Sequence, residues 1–301
     1  MADGQPQWQG QLSLKSDAAA EQQDLMLLAL SWSPDGQTLA SSNGEAVYLW
    51  DTATGRLEHS FHPAPTQPGL PIALAWSPDG QTLATGGFGT VQLWNSNRGK
   101  LQQTLFTPET RSTTLEGTLP QGVISSVSWS PDGMQLAIAA EDSTIQLWNS
   151  QTQQIERRIQ SGQGWIEELS WSPDGQRWAV LGDVIRLKLW DATQGTALQT
   201  LSGFEGEVSS LSWRPNHQSL AIALNDGSLE LWDATSGTVQ QTLEQWQPPE
   251  PPVSNVVSWS PDGRTLAVGQ GDRLRLWQIT PHLDSPLNQR DRRPTQAQQS
   301  S

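Results

Sequence analysis

Twelve of the sixteen tryptophans stand in a ladder that fixes the repeat of this chain. Trp32, Trp76, Trp129, Trp171, Trp213 and Trp259 each open a near-identical segment, and Trp50, Trp94, Trp148, Trp190, Trp232 and Trp277 follow 18 or 19 residues later. The first members are 42 to 53 residues apart, the range in which self-similarity marks stacked supersecondary units. Six such units explain the high tryptophan content without a ligand.

Each unit reads as three strands and usually a fourth. The first run alternates toward its tryptophan, as in Val127-Ser128-Trp129, and then meets a turn. Five of the six turns are Ser-Pro-Asp-Gly (33–36, 77–80, 130–133, 172–175, 260–263), where Pro presets φ, Asp bonds its own backbone and Gly accepts φ > 0. The fifth unit has Arg214-Pro215-Asn216-His217 instead and is still expected to turn. A short apolar run such as Leu39-Ala40 follows, then a period-two strand ending in Leu-Trp, as in Ile145-Gln146-Leu147-Trp148. Asp or Asn comes after Leu-Trp in five units, and Gly55, Gly99, Gly195 and Gly237 stand four residues beyond it in four of them. Fourth strands then read Leu101 to Leu105, Ala197 to Leu201 or Val239 to Leu243.

Repeated in this order, Trp-Ser-Pro-Asp-Gly, Leu-Ala and Leu-Trp-Asp/Asn resemble the WD-repeat family of β-propellers over roughly residues 8 to 279. The resemblance implies an all-β fold of four-stranded antiparallel blades around a channel. Strand counting adds closure. The sixth unit supplies only three strands, and Trp8-Gln9-Gly10-Gln11-Leu12-Ser13-Leu14 has the alternation of the missing fourth. The expectation is a closed six-bladed propeller over 8–280 whose N-terminal strand completes the last blade, with a flexible segment at 1–7 and a disordered tail at 281–301 rich in Gln, Ser, Pro and Arg. One departure stands out. WD blades often carry a hydrogen-bonded network of Asp, His, Ser and Trp, but no His occupies its place here, where Phe204 stands in Ser202-Gly203-Phe204. Loop Asp142 and Asp226 are kept, with Asp183 and Asp272 near the same spacing. The network is expected to be broken and stability to rest on tryptophan and aliphatic packing, each such aromatic costing ~3–5 kcal/mol when truncated.

Charge and composition narrow the function. Thirty-one acidic residues against seventeen basic give a net charge of −14, which disfavours nucleic acid and anionic membranes and favours basic protein surfaces. The chain has no cysteine, hence no thiolate metal site and no cysteine nucleophile. Met1-Ala2-Asp3-Gly4-Gln5 lacks a targeting pattern and the longest apolar run, Leu25 to Leu30, is too short to span a bilayer, so the expected setting is cytoplasmic. No catalytic constellation, metal site or cofactor site is expected. His59 and His62 form a pair without a third ligand in the segment, and Gly86-Gly87 and Gly269-Gln270-Gly271 lack the following helix of a phosphate cradle. Glu167 and Glu168 are adjacent in a strand, where alternation would turn them to opposite faces.

The expected function is a non-catalytic interaction scaffold, a monomer or a subunit of a complex, that binds partner peptides or protein loops. The alternative is a small-ligand or periplasmic propeller of the Tol-associated kind, which shares Trp-Ser-Pro-Asp-Gly; an enzyme using the channel comes last. The Ser-Pro-Asp-Gly rim is short and uniform, whereas the opposite rim carries variable loops at 59–69, 106–122 and 246–252, and recognition concentrates on such loops. The resemblance implies that the rim of the channel takes the partner. Trp165, Glu167, Glu207, Glu141, Phe88, Glu45 and Asn225 fall at its positions, aromatic anchors beside carboxylates.

Overall fold

The computed structural model describes residues 27–62, 72–87, 89–96, 98–106, 123–182, 186–215, 218–245, 255–270 and 273–279. Each unit folds as a meander. Blade 1 is β1 (Ala29–Trp32), β2 (Thr38–Ser42), β3 (Val47–Asp51) and β4 (Leu57–Phe61). Blade 2 is β5 (Ala73–Trp76), β6 (Thr82–Gly86), β7 (Thr90–Asn95) and β8 (Lys100–Phe106). Blade 3 is β9 (Ile124–Trp129), β10 (Gln135–Ala140), β11 (Thr144–Asn149) and β12 (Gln154–Gln160). Blade 4 is β13 (Ile166–Trp171), β14 (Arg177–Gly182), β15 (Arg186–Asp191) and β16 (Thr196–Leu201), and blade 5 is β17 (Val208–Trp213), β18 (Ser219–Leu224), β19 (Ser228–Asp233) and β20 (Thr238–Gln245). Blade 6 has three described strands, β21 (Asn255–Trp259), β22 (Thr265–Gln270) and β23 (Arg273–Gln278).

The Ser-Pro-Asp-Gly turns work as their residues dictate. In the first, Ser33 Oγ donates to Asp35 Oδ1 at 2.6 Å, the same oxygen accepts the Gln37 N–H, Ser33 Oγ accepts the Thr38 N–H, and Gly36 takes φ 71°. Asp35, Asp132 and Asp262 are held below the ordinary carboxylate range, first by the hydroxyls of Ser33, Ser130 and Ser260. The turn of blade 5 closes without that serine. Arg214 N donates to Ser219 O at 2.9 Å, while its guanidinium crosses to Gly263 O and stacks over Trp259 at 5.0 Å. Asn216 and His217 lie outside the described residues.

The blades are joined by six apolar clusters among the described residues, one at each junction. Leu181, Leu187 and Leu201 of blade 4, for example, pack on Val208, Trp213 and Ile222 of blade 5. The ring is closed by packing, because Leu27, Leu39 and Trp50 of blade 1 share a cluster with Ala267 and Leu274 of blade 6, and Trp32 Nε1 donates to Ser258 O at 3.1 Å. Around the channel the inner strands are bracketed by side chains. Ser126 Oγ accepts the Leu169 N–H, Ser210 Oγ that of Val257, and Ser31, Ser128 and Ser212 those of Trp76, Trp171 and Trp259.

The expected loss of the polar network is only partial. Trp50 Nε1 still donates to Ser41 and Trp94 Nε1 to Thr85, because blades 1 and 2 keep a hydroxyl on the second strand where the others place Ile or Val. In blade 5 the indole of Trp232 finds Glu230 at 2.7 Å, and Phe204 packs on its ring at 4.5 Å between centroids. Asp142 and Asp226 bond the hydroxyls and amides of Thr144 and Ser228 within their own hairpins; Asp183 and Asp272 lie outside the described residues.

Residues 8–14, assigned by the strand count to the last blade, also lie outside the described residues, as do 1–7 and the tail. Among the described strands β23 has no partner on its outer side. If 8–14 fill that edge, deleting residues 1–16 lowers the melting temperature by about 10 °C or more, several kcal/mol in a chain of this size, and deleting 284–301 leaves it unchanged. Equal melting of the N-terminal deletion and the full chain would overturn the assignment. A second expectation concerns Gln153. It stands at φ 56° where the equivalent turns have Gly55, Gly99, Gly195 and Gly237, and its N–H reaches Asn149 O as those of Gly55, Gly195 and Gly237 reach their aspartates. Relieving that left-handed strain outweighs the entropy of a glycine, so Gln153→Gly raises the stability measured by urea unfolding by about 0.5–1 kcal/mol.

Candidate functional site

First strands of all six blades line a central channel of about 290 Å³. Its loop-rich mouth is built from hairpins joining second to third strands and from the segments that lead into first strands. In blade 4 that segment presents Trp165. Gly162 and Gly164 turn it at φ 62° and 77°, Gln163 is buried, and Ser143 Oγ of the blade 3 hairpin donates to Gly164 O. Gly182 lets the segment lie down on β14, since a Cβ there would stand 3.0 Å from the Gln163 carbonyl oxygen. Trp165 is therefore held by two blades yet 48% exposed, not wedged between them.

Glu141 belongs to the same hairpin as Ser143, so the structure brings it to the Trp165 segment; burial pushes its carboxyl above the ordinary value. Glu167 follows at the channel mouth, exposed, and β-sheet register explains its position. Pairing slips between Ile166 and Glu168, and this bulge leaves Glu167 opposite no residue of β14. Strict alternation, which would have turned Glu167 and Glu168 to opposite faces, does not hold there. Both border the channel. Bulges recur at Ser125 and Ser209, but those hydroxyls turn back onto Ala139 O and Ala223 O.

In blade 5 Asn225 and Glu207 come together, Asn225 Nδ2 donating to Glu207 Oε2 at 2.8 Å and its backbone N–H to Glu207 O. Glu45 is exposed at the hairpin of blade 1, across the ring from blade 4, so the structure does not bring it to Trp165. Phe88 lies outside the described residues. Among the described residues no group of three or more His, Cys, Asp and Glu converges as a metal site.

Sequence reasoning missed Glu168. Aligned on the first tryptophan, its position holds Ala29, Ala73, Ser126, Ser210 and Val256 in the other blades, and that outlying carboxylate was the available signal. Glu168 Oε2 accepts the Leu211 N–H at 2.9 Å, the bracket that serines provide at neighbouring junctions. The side chain is half-buried and lines the channel. Burial pushes its carboxyl up to about 8, against the lowering pull of the Leu211 N–H and Ser210 hydroxyl, and Glu167 adds to the rise.

A carboxyl raised on folding stabilises the fold while it is protonated. The contribution is full below the unfolded value, 4.5, and is lost as pH rises through about 8. Melting curves of Glu168→Gln and of the unaltered protein are therefore expected to diverge between pH 5 and 9, the variant being more stable at the alkaline end by about 2 kcal/mol after allowance for channel water. Parallel curves would refute the assignment.

The fold and its repeat agree with the comparisons to known families. The family model of the WD domain, G-beta repeat, matches residues 22–51, 59–95, 109–149 and 238–278, and that of the anaphase-promoting complex subunit 4 WD40 domain matches 202–256. No curated protein matches the chain. Three of the matched repeats end at the third strands of blades 1, 2 and 3, and the one that begins in β20 ends in β23, so repeats are offset from blades by one strand. With more than half of its length matched by the two WD40 models and six blades in its ring, the chain belongs to the WD-repeat family of β-propellers.

Proposed function

We propose that this propeller is a non-catalytic interaction scaffold that receives a basic peptide or protein loop on its loop-rich rim. WD40 domains commonly serve as protein-binding scaffolds and are generally non-catalytic, which supports the class. The observation that carries the finer reading is the Trp165 segment. An exposed indole is carried by a segment that the Ser143 hydroxyl ties to blade 3 at Gly164, and Glu141, Glu167 and, in the next blade, Glu207 fall on the same rim. A rigid aromatic loses little entropy on binding, and carboxylates around it select cationic partners. The carboxylates of the opposite rim are tied into their turns. The likeness to an anaphase-promoting complex subunit supports membership of a larger assembly.

Arrays of lysine- and arginine-rich peptides, compared with acidic ones of equal length, test the reading. Basic peptides are expected to bind, more weakly as salt rises. Trp165→Ala should cost roughly 2 kcal/mol of binding, and the Glu141→Gln, Glu167→Gln, Glu207→Gln triple variant should remove most of the salt dependence, both with melting temperatures close to that of the unaltered protein. Equal binding of acidic peptides, or a response only to changes at Asp35 and Asp174 on the opposite rim, would overturn it.

A further inference from the structure

Beneath the rim, the channel holds two ionisable side chains among its lining residues, Glu167 at the mouth and Glu168 further along β13. Among the described residues, no lysine, arginine or histidine lines the channel. The bracket at the junction of blades 4 and 5 does not require an acid, because Ser126 and Ser210 hold the equivalent N–H groups with a hydroxyl. A carboxylate at that position brings acceptor capacity beyond the Leu211 N–H and the Ser210 hydroxyl that it takes.

We propose that Glu168 is the receptor carboxylate for one primary ammonium group, the end of a lysine side chain of the partner, entering the channel from the loop-rich rim. The proposal rests on the rim reading for the source of the ammonium, but the channel site stands on its own geometry. An ammonium group carries three donors and no acceptor. The wall offers it acceptors, the Glu168 carboxylate and the lone pairs of serine hydroxyls such as Ser125, Ser170 and Ser209. Its cationic charge meets Glu167 on the way in.

Binding is coupled to a proton. With its carboxyl pushed up to about 8 by burial, Glu168 is mostly protonated at neutral pH. Ammonium entry converts the carboxylic acid to a carboxylate paired with the ammonium, and the proton leaves to the buffer. Affinity therefore rises with pH up to about 8 and levels off above it, until the amine itself loses its proton. The groups facing Glu168 do not supply this dependence. β17 turns Ser209, Ser210 and Leu211 toward the channel, β14 pairs Leu181 with it, and β1, β5, β9 and β21 add no ionisable residue to the wall, so among the described lining residues Glu167 on β13 is the one charged neighbour.

The test uses the full chain with n-butylammonium as probe, followed by carbon-13 resonances of the glutamate carboxyls through a pH titration. Saturating n-butylammonium is expected to lower the Glu168 midpoint by about one pH unit or more, as an adjacent opposite charge does, while n-butanol and sodium chloride at matched concentrations do not. Glu168→Gln and Glu168→Ser, the second restoring the residue of the neighbouring junctions, should each abolish saturable binding; if one fails to fold, the other decides. No saturable shift of Glu168, an equal shift with sodium chloride, or undiminished binding by the folded variant would overturn the site. A rim-binding peptide and its acetyl-lysine form then identify the source. Loss of the Glu168 shift on acetylation supports the lysine, and an unchanged shift overturns it. Failure of all peptides with success of n-butylammonium would remove the rim reading and leave the channel site intact.

Discussion

The inner edge of each blade is the constraint on which the ring depends. A first strand pairs with its own blade on one side and borders the channel on the other, so alternate N–H groups would face a narrow space with few partners. Side chains of the preceding blade supply those partners. Ser126, Glu168 and Ser210 each bond the amide two residues before the next tryptophan, and Ser31, Ser128 and Ser212 bond the amide of the tryptophan itself. Apolar clusters give the junctions their energy, while these polar bonds fix how far one blade slides against the next. Because every blade is held by two neighbours, a blade without a serine can be tolerated if something else accepts the amide.

Charge on the two rims is organised by the same local chemistry. The aspartates of the Ser-Pro-Asp-Gly turns accept a hydroxyl and an amide two residues on, from Ser33 and Gln37 to Ser260 and Arg264, so they serve the turns that carry them. Acid weakens those bonds, since Asp35, Asp132 and Asp262 are held low and their contribution disappears as pH falls through the folded values. Glu168 behaves in the opposite sense, and alkali weakens its junction. The fold is thus limited from both sides by carboxyls.

What the sequence made legible follows from which interactions repeat. The tryptophans, the turns and the Leu-Trp strands recur in every unit, so their periodicity carried the blade number, the strand order and the meander. The Asp or Asn turn with a glycine was equally readable, and only the Gln153 copy takes the strained conformation without one. Interactions that depend on pairing were hidden. The slip between Ile166 and Glu168 is a property of two strands, and a single-strand alternation rule therefore misplaced Glu167. Ser41 and Thr85 read as ordinary strand residues until their distance from Trp50 and Trp94 was known. Placing Glu45 away from Trp165 required the ring itself, because equivalent positions in distant blades are neighbours in an alignment and not in space.

Blade 4 concentrates the departures from the repeat. It carries Trp178, fully buried, where the other blades have Leu39, Leu83, Leu136, Leu220 and Leu266, and that larger ring packs edge-on against Trp171 at 5.4 Å. It also carries Glu168 in place of serine or a small apolar residue, Glu167 at a bulge, and the exposed Trp165. A repeat ring permits this because stability is summed over junctions, so one blade can vary while five keep the shared pattern. The substitutions do not scatter over the blade. Trp178 sits in the core that anchors it, and the other three follow one another from the rim toward the channel along a single strand and its leading segment. A polar, partly exposed line of that kind does nothing for packing, and a buried carboxyl at its inner end works against stability above neutral pH. Such a cost, carried by one blade out of six and directed at one opening, is what the ammonium site proposed for Glu168 would account for.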